Sequence, residues 1–116
     1  MNIVICGSRS WTDERPILRE LMRCPHDATI ITGGARGADV IAHEIAKSLG
    51  FKTLVMKAEW HRYGPRAGFI RNGEMVEIAD EVIAFWDGQS RGTADTIKRA
   101  RAALHVSNVR VVEVVS

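Results

Sequence analysis

Two hydrophobic rhythms alternate along this chain. The run Asn2-Ile3-Val4-Ile5-Cys6 is apolar after its first residue, the pattern of a strand buried on both faces of a parallel sheet. Beyond Gly7-Ser8-Arg9-Ser10-Trp11, Thr12 or Asp13 can cap a helix, with Pro16 in its first turn. Ile17, Leu18, Leu21 and Met22 give that helix one apolar stripe, which stops near Cys24-Pro25. Ala28-Thr29-Ile30-Ile31-Thr32 predicts a second strand, and Ile41, Ile45 and Leu49 predict the inward face of a second helix ended by Gly50. Lys52-Thr53-Leu54-Val55-Met56 is a third strand. Residues 57–68 form the longest irregular stretch, followed by a helix from about Ala67 to Ala79 that turns Ile70, Met75 and Ile78 to the core. Glu81-Val82-Ile83-Ala84-Phe85-Trp86 is a fourth strand, and a helix through Ile97, Ala100 and Leu104 leads to an edge strand over Val109–Val115. Strand and helix alternate about five times, which predicts an open, mostly parallel α/β sheet in three layers, with helices on both faces.

Composition adds limits. At 116 residues the chain is one domain, residues 1–116, with an ordinary 46% of hydrophobic and 26% of charged residues. No apolar run is long enough to cross a membrane, and Met1-Asn2-Ile3 does not open a secretory signal, so a cytoplasmic protein with no membrane partner is expected. Cys6 and Cys24 lack metal-ligand spacing, and Cys6 reads as a buried free thiol suited to a reducing compartment. Neither a metal nor a cofactor is expected. A net charge of +2 is too small to argue for nucleic acid, but 12 of the 16 cations are Arg, several beside loop glycines. That bias favours planar, bidentate contacts with anions.

The chemistry gathers at the carboxyl ends of the strands, where ligands sit in open parallel sheets. Thr32-Gly33-Gly34-Ala35-Arg36-Gly37-Ala38-Asp39 joins a strand to a helix start. Such a turn aims unpaired N–H groups at one point, and its glycines let a ligand approach the backbone. A plain strand-to-helix connection has the same appearance. Two further loops at the same edge carry glycine and Arg: Gly7-Ser8-Arg9 and Ser90-Arg91-Gly92-Thr93. Three such loops together point to a phosphate-bearing ligand clamped by Arg9, Arg36 and Arg91. Arg71 can reach phosphate or ribose, or pair on the surface with Glu74 or Glu77, and Asn72 can hydrogen-bond ribose or base. Asp39 is open between a ribose contact, a general base and a favourable place at a helix start. Trp60 and Tyr63 either stack on a base or anchor their loop.

These residues, with Trp11, Trp60, Tyr63-Gly64, Arg71-Asn72, Met75 and Ala79-Asp80, resemble the YspA-related branch of the SLOG superfamily. That superfamily groups the LOG-type phosphoribohydrolases with the DNA-processing protein DprA. The resemblance implies a Rossmann-like fold and a nucleotide-type ligand, a nucleoside monophosphate or an ADP-ribose derivative, held by Gly7, Ser8, Arg9, Gly33, Gly34, Arg36, Gly37 and the groups above. Arg71, Met75 and Asp80 keep the spacing of the LOG enzymes, and Gly92-Thr93 is kept, but their catalytic Glu position is Thr96 here. Thr96 supplies no carboxylate for glycosidic cleavage. Asp95, about 100° away around the helix, and Asp39 are the substitutes, with Arg71 completing the tentative catalytic set. Whether the ligand is hydrolysed stays open. By analogy with DprA the alternative is a single-stranded nucleic-acid binder, and related folds imply that a homodimer is possible.

Overall fold

In a computed structural model, described for residues 1–113, five parallel strands form one sheet in the order β3-β2-β1-β4-β5. They are β1 (Asn2–Gly7), β2 (Thr29–Thr32), β3 (Lys52–Val55), β4 (Glu81–Trp86) and β5 (Asn108–Glu113). Between them lie α1 (Glu14–Met22), α2 (Ala38–Ser48), α3 (Trp60–Tyr63), α4 (Ala67–Ile78) and α5 (Arg91–Ala102). The predicted α/β sandwich is present, and every strand pair is parallel. The sequence-stretch Val114-Val115 of the expected last strand lies outside the described residues.

β1 is the centre of the sheet, and its unbroken apolar run follows from that position. Ile3 and Ile5 face one side with Ile17 and Leu21 of α1, Ala42 and Ala46 of α2, and Phe85 of β4. Val4 and Cys6 face the other with Met75 and Val76 of α4 and Ile97 and Ala100 of α5. A period of two on a strand covered by helices above and below demands apolar residues at every position. Trp11 closes the first core against Phe85, edge to face, with centroids 5.5 Å apart. Its Nε1–H donates to the Asp13 carbonyl at 2.6 Å, while the Asp13 carboxylate caps α1 by accepting the Arg15 N–H at 3.0 Å.

Four local expectations change. The inward face of α2 is Ala38, Asp39, Ala42 and Ala46, with Ile41 and Ile45 on its flank and Leu49 40% exposed. Small residues let α2 lie close to the sheet, a pattern that large-residue periodicity alone overlooks. Residues 57–68 are largely ordered as the short α3, a 3₁₀ turn over Gly64–Arg66 and the start of α4. In α4, Asn72 takes a buried place and Ile78 is exposed. α5 ends at Ala102, leaving Leu104 fully in solvent.

The consequence for function is the order of strands. From β1 the chain passes to β2 and β3 on one side, and later to β4 and β5 on the other. The loops leaving β1 and β4 therefore diverge to opposite faces, opening a crevice beyond their carboxyl ends.

Candidate functional site

The crevice is a hollow of about 440 Å³. The β1 loop supplies Gly7, Arg9 and Ser10, the β2 loop and α2 supply Ala35, Arg36 and Asp39, and β4 and α5 supply Asp87, Ser90, Gly92, Thr93 and Thr96. Its remaining wall is Trp60, Pro65, Gly68, Phe69, Arg71, Asn72 and Met75, from α3 to α4, with Cys6 at the base. Arg9, Arg36 and Arg71 oppose Asp39 and Asp87, so cations outnumber carboxylates three to two among the lining residues.

The β1 loop is held by Ser8. Its N–H donates to the Phe85 carbonyl at 2.9 Å, and its carbonyl accepts the Trp11 and Ala38 N–H groups at 3.1 and 3.2 Å. Its Oγ accepts the Asp87 N–H at 2.9 Å. Ser8 is thus fully enclosed, tying β1, β4 and α2 together while Arg9 and Ser10 are left to face the hollow. Asp87 closes the facing loop: Oδ1 accepts the Gln89 and Ser90 N–H groups, both at 2.8 Å, and Oδ2 accepts Ser10 Oγ–H at 3.2 Å. Those backbone N–H groups hold its carboxyl below the usual range.

The glycine-rich β2 loop does converge its N–H groups on a carboxylate, and the carboxylate is the chain's own. Asp39, 4% exposed, accepts the Gly33 N–H at 3.0 Å, and the N–H groups of Ala35 and Gly7 also stabilise its charge. Burial outweighs these and the neighbouring Arg71 guanidinium, and raises the Asp39 pKa to about 6. Arg71 completes the knot. Its Nη1–H donates to the carbonyls of Gly33 at 2.7 Å and Met56 at 3.3 Å, and its Nε–H to Asn72 Oδ1 at 3.1 Å. Burial, and the like charge of Arg9, lower its pKa, opposed by Asp39.

The glycines of this loop admit protein where a ligand was expected. The Arg71 guanidinium occupies the space that a Cβ on Gly33 would need. Gly37 has φ +83°, and a Cβ there would collide with the carbonyl oxygens of Ser8 and Arg9. Gly33, Gly34 and Gly37 do not line the hollow.

Of the predicted clamps, Arg9 and Arg36 reach the hollow, whereas Arg91, exposed at the first position of α5, is outside its lining. Arg71 pairs with neither Glu74 nor Glu77; it points inward. Asn72 donates to the Gly92 carbonyl and to Asp95 Oδ2, both at 3.2 Å. Asp95 also receives the Arg99 Nε–H at 2.8 Å and is not part of the lining. Thr96 does line the hollow, its Oγ1–H donating to the Gly92 carbonyl at 3.2 Å. Trp60 is in the wall, and Tyr63 is outside it with Arg62 over its ring. Sequence reasoning missed Phe69, Pro65 and Ser10. Pro65 fell in a stretch read as irregular and Phe69 in a predicted helix whose core face was read through Ile70, Met75 and Ile78, whereas Ser10, beside Arg9 in a polar loop, carried a signal. Among the described residues no three His, Cys, Asp or Glu side chains are grouped to hold a metal, and no helix is long and apolar enough to cross a membrane.

Comparison with known proteins bears on the family and the fold. The profile of the family described as "YspA, cpYpsA-related SLOG family" matches residues 1–63. The gene 61 protein of Mycobacterium phage D29 is 38% identical over 111 residues, covering 87% of this chain and 89% of that protein. The fold is similar to that of DNA processing protein A (DprA) from Streptococcus pneumoniae, with a TM-score of 0.73 over 87% of this chain at 18% identity. The match takes in 47% of the DprA chain, so this chain spans about half its length.

Proposed function

Because the chain belongs to the YspA, cpYpsA-related SLOG family, we propose that its crevice binds a nucleotide-type ligand, a nucleoside monophosphate or an ADP-ribose derivative, by its phosphate. The family and the DprA-like fold support a nucleotide- or nucleic-acid-related function. The observation that carries the finer reading is the gathering of Arg9, Arg36 and Arg71 around one hollow at the point where strand order reverses. Arg71 is committed to backbone carbonyls. Arg9 and Arg36, both exposed, are the groups that take the phosphate, beside the first turn of α5.

In this reading the protein holds its ligand without cleaving it. Asp39 and Asp87, the carboxylates of the lining, already accept backbone N–H groups, and Thr96 stands where the LOG enzymes have a catalytic Glu. Calorimetry with AMP, ADP-ribose and cyclic dinucleotides tests binding. The expected result is a ligand bound more tightly than about 1 mM, weakened at least tenfold by Arg36→Ala or Arg9→Ala. No binding across the panel refutes the proposal, and release of adenine from AMP in a chromatographic assay refutes its non-hydrolytic part.

A second reading is single-stranded nucleic acid. It is favoured by a separate surface hollow of about 280 Å³ that sets Trp86 beside Lys98 and Arg101. A gel shift with an oligonucleotide that fades with salt and is abolished by Lys98→Ala with Arg101→Ala supports it.

A further inference from the structure

The hollow has two chemically different walls. The loops after β1, β2 and β4 bring Arg9, Ser10, Arg36 and Asp87 to it. The segment from α3 to the first turn of α4 presents Trp60, Pro65 and Phe69, with the edge of the Trp60 ring resting over Gly68, where a Cβ would lie 3.5 Å from it. Trp60 is 51% exposed and Phe69 43%. Two large aromatic side chains kept half in water, both opening onto one cavity, are a surface awaiting an apolar, flat occupant. Among the described residues, most of the large apolar side chains that stay exposed do not line this hollow.

From this we infer that Trp60 and Phe69 form a nucleobase subsite, so that the ligand is selected by an aromatic base on the α3–α4 wall as well as by phosphate on the arginine wall. The inference rests on the phosphate reading above and adds the other half of the ligand. Charge complementarity selects the occupant. A purely apolar peptide would bring no anion to Arg9 and Arg36, which line the same cavity. A nucleotide places a flat π-face and an anion at opposite ends of one small molecule. The π-face of any base can stack on an indole or phenyl ring, so the wall distinguishes base-bearing from base-free phosphates more strongly than one base from another. Phe69 takes the stacking role that was one of the two alternatives for Tyr63, whose ring lies against Arg62 outside the cavity.

The test compares base-bearing with base-free probes. Calorimetry is run with AMP, ADP-ribose, ribose 5-phosphate and inorganic phosphate, on the wild type and on Trp60→Ala, Phe69→Ala and Trp60→Phe. Both side chains are half exposed, so the variants are expected to unfold at wild-type temperatures, and Trp60→Phe retains a stacking face. AMP or ADP-ribose should bind about 5- to 150-fold more tightly than ribose 5-phosphate. Each alanine variant should erase most of that ratio while leaving ribose 5-phosphate unaffected, and Trp60→Phe should restore part of it. Equal binding of AMP, ADP-ribose and ribose 5-phosphate overturns the base subsite and leaves the phosphate reading standing. So does an alanine variant that weakens base-bearing and base-free probes alike. A dimer that dissociates in Trp60→Ala with nucleotide affinity unchanged assigns the wall to a second copy and also overturns it. If none of the four probes binds, the phosphate reading has failed and this inference falls with it.

Discussion

Replacing Asp39 by Asn removes one charge from the knot beneath the crevice and keeps its shape. Folding raises the Asp39 pKa from 3.8 to about 6. At about 1.4 kcal/mol per pH unit, that interval corresponds to roughly 3 kcal/mol. Because the folded value is the higher one, the associated stability is fully present below about pH 4 and is lost as pH rises through about 6. Asn is neutral throughout and shows no such loss. It keeps an oxygen for the Gly33 N–H, accepted by the carboxylate at 3.0 Å. Its NH₂ group, however, must sit among the N–H groups of Ala35 and Gly7, which favour the charged carboxylate. Donors left facing donors cost about 1–3 kcal/mol. Asp39→Asn should therefore be the less stable protein at about pH 4 by that amount, with the deficit closing by about 3 kcal/mol as pH rises to about 7.5. Urea unfolding at several pH values across that interval, followed by tryptophan fluorescence and checked for equal m, measures the difference. A deficit that is constant to within about 1 kcal/mol, or that grows with pH, refutes the assignment of a buried, charge-penalised carboxylate at this position.

Arg71→Ala should destabilise the fold as well as weaken ligand binding. It strips the Gly33 and Met56 carbonyls of a donor and leaves Asp39 without its neighbouring cation, at a cost of about 3 kcal/mol. Differential scanning calorimetry should show a melting temperature lowered by roughly 10 °C, and an unchanged melting temperature contradicts this. Gly37→Ala puts a Cβ into the Ser8 and Arg9 carbonyls at φ +83° and should lose more than about 3 kcal/mol in urea titration; a wild-type midpoint would show that the loop can shift freely. Arg110→Ala removes the 2.7 Å partner of Glu20 on α1. Glu20 is buried whereas Arg110 is half exposed, so solvent screening limits the loss to about 1–2 kcal/mol. Glu20→Gln in the Arg110→Ala background should recover part of it, as a double-mutant cycle will read.

Much of the architecture could be read from the residues in order. Ile3–Cys6 and Val82–Phe85 are apolar at every position because helices cover both faces of β1 and β4, and periodicity reports such burial directly. The Asp13 cap, the Gly50 helix end and the polar loops after β1, β2 and β4 are likewise local signals, set by backbone conformation over a few residues. Less legible was the centre of the inward face of α2: it is made of alanines and Asp39, and the predicted stripe lies at its flank, with Ile41 and Ile45 packed against the core and Leu49 exposed.

What the amino-acid order determined by itself was therefore the succession of strands and helices, and the edge of the sheet at which polar chemistry collects. Only tertiary structure decided that the anion position in the β2 loop is filled by Asp39, that Arg71 reaches 38 residues back to the Gly33 carbonyl, that Arg91 stands apart from Arg9 and Arg36, and that Phe69 opens onto the hollow. The reason is one of range. Element type follows from repeats within a few residues, whereas the partner of a guanidinium or carboxylate depends on strand order and helix rotation, which bring together groups with no regular spacing in the chain.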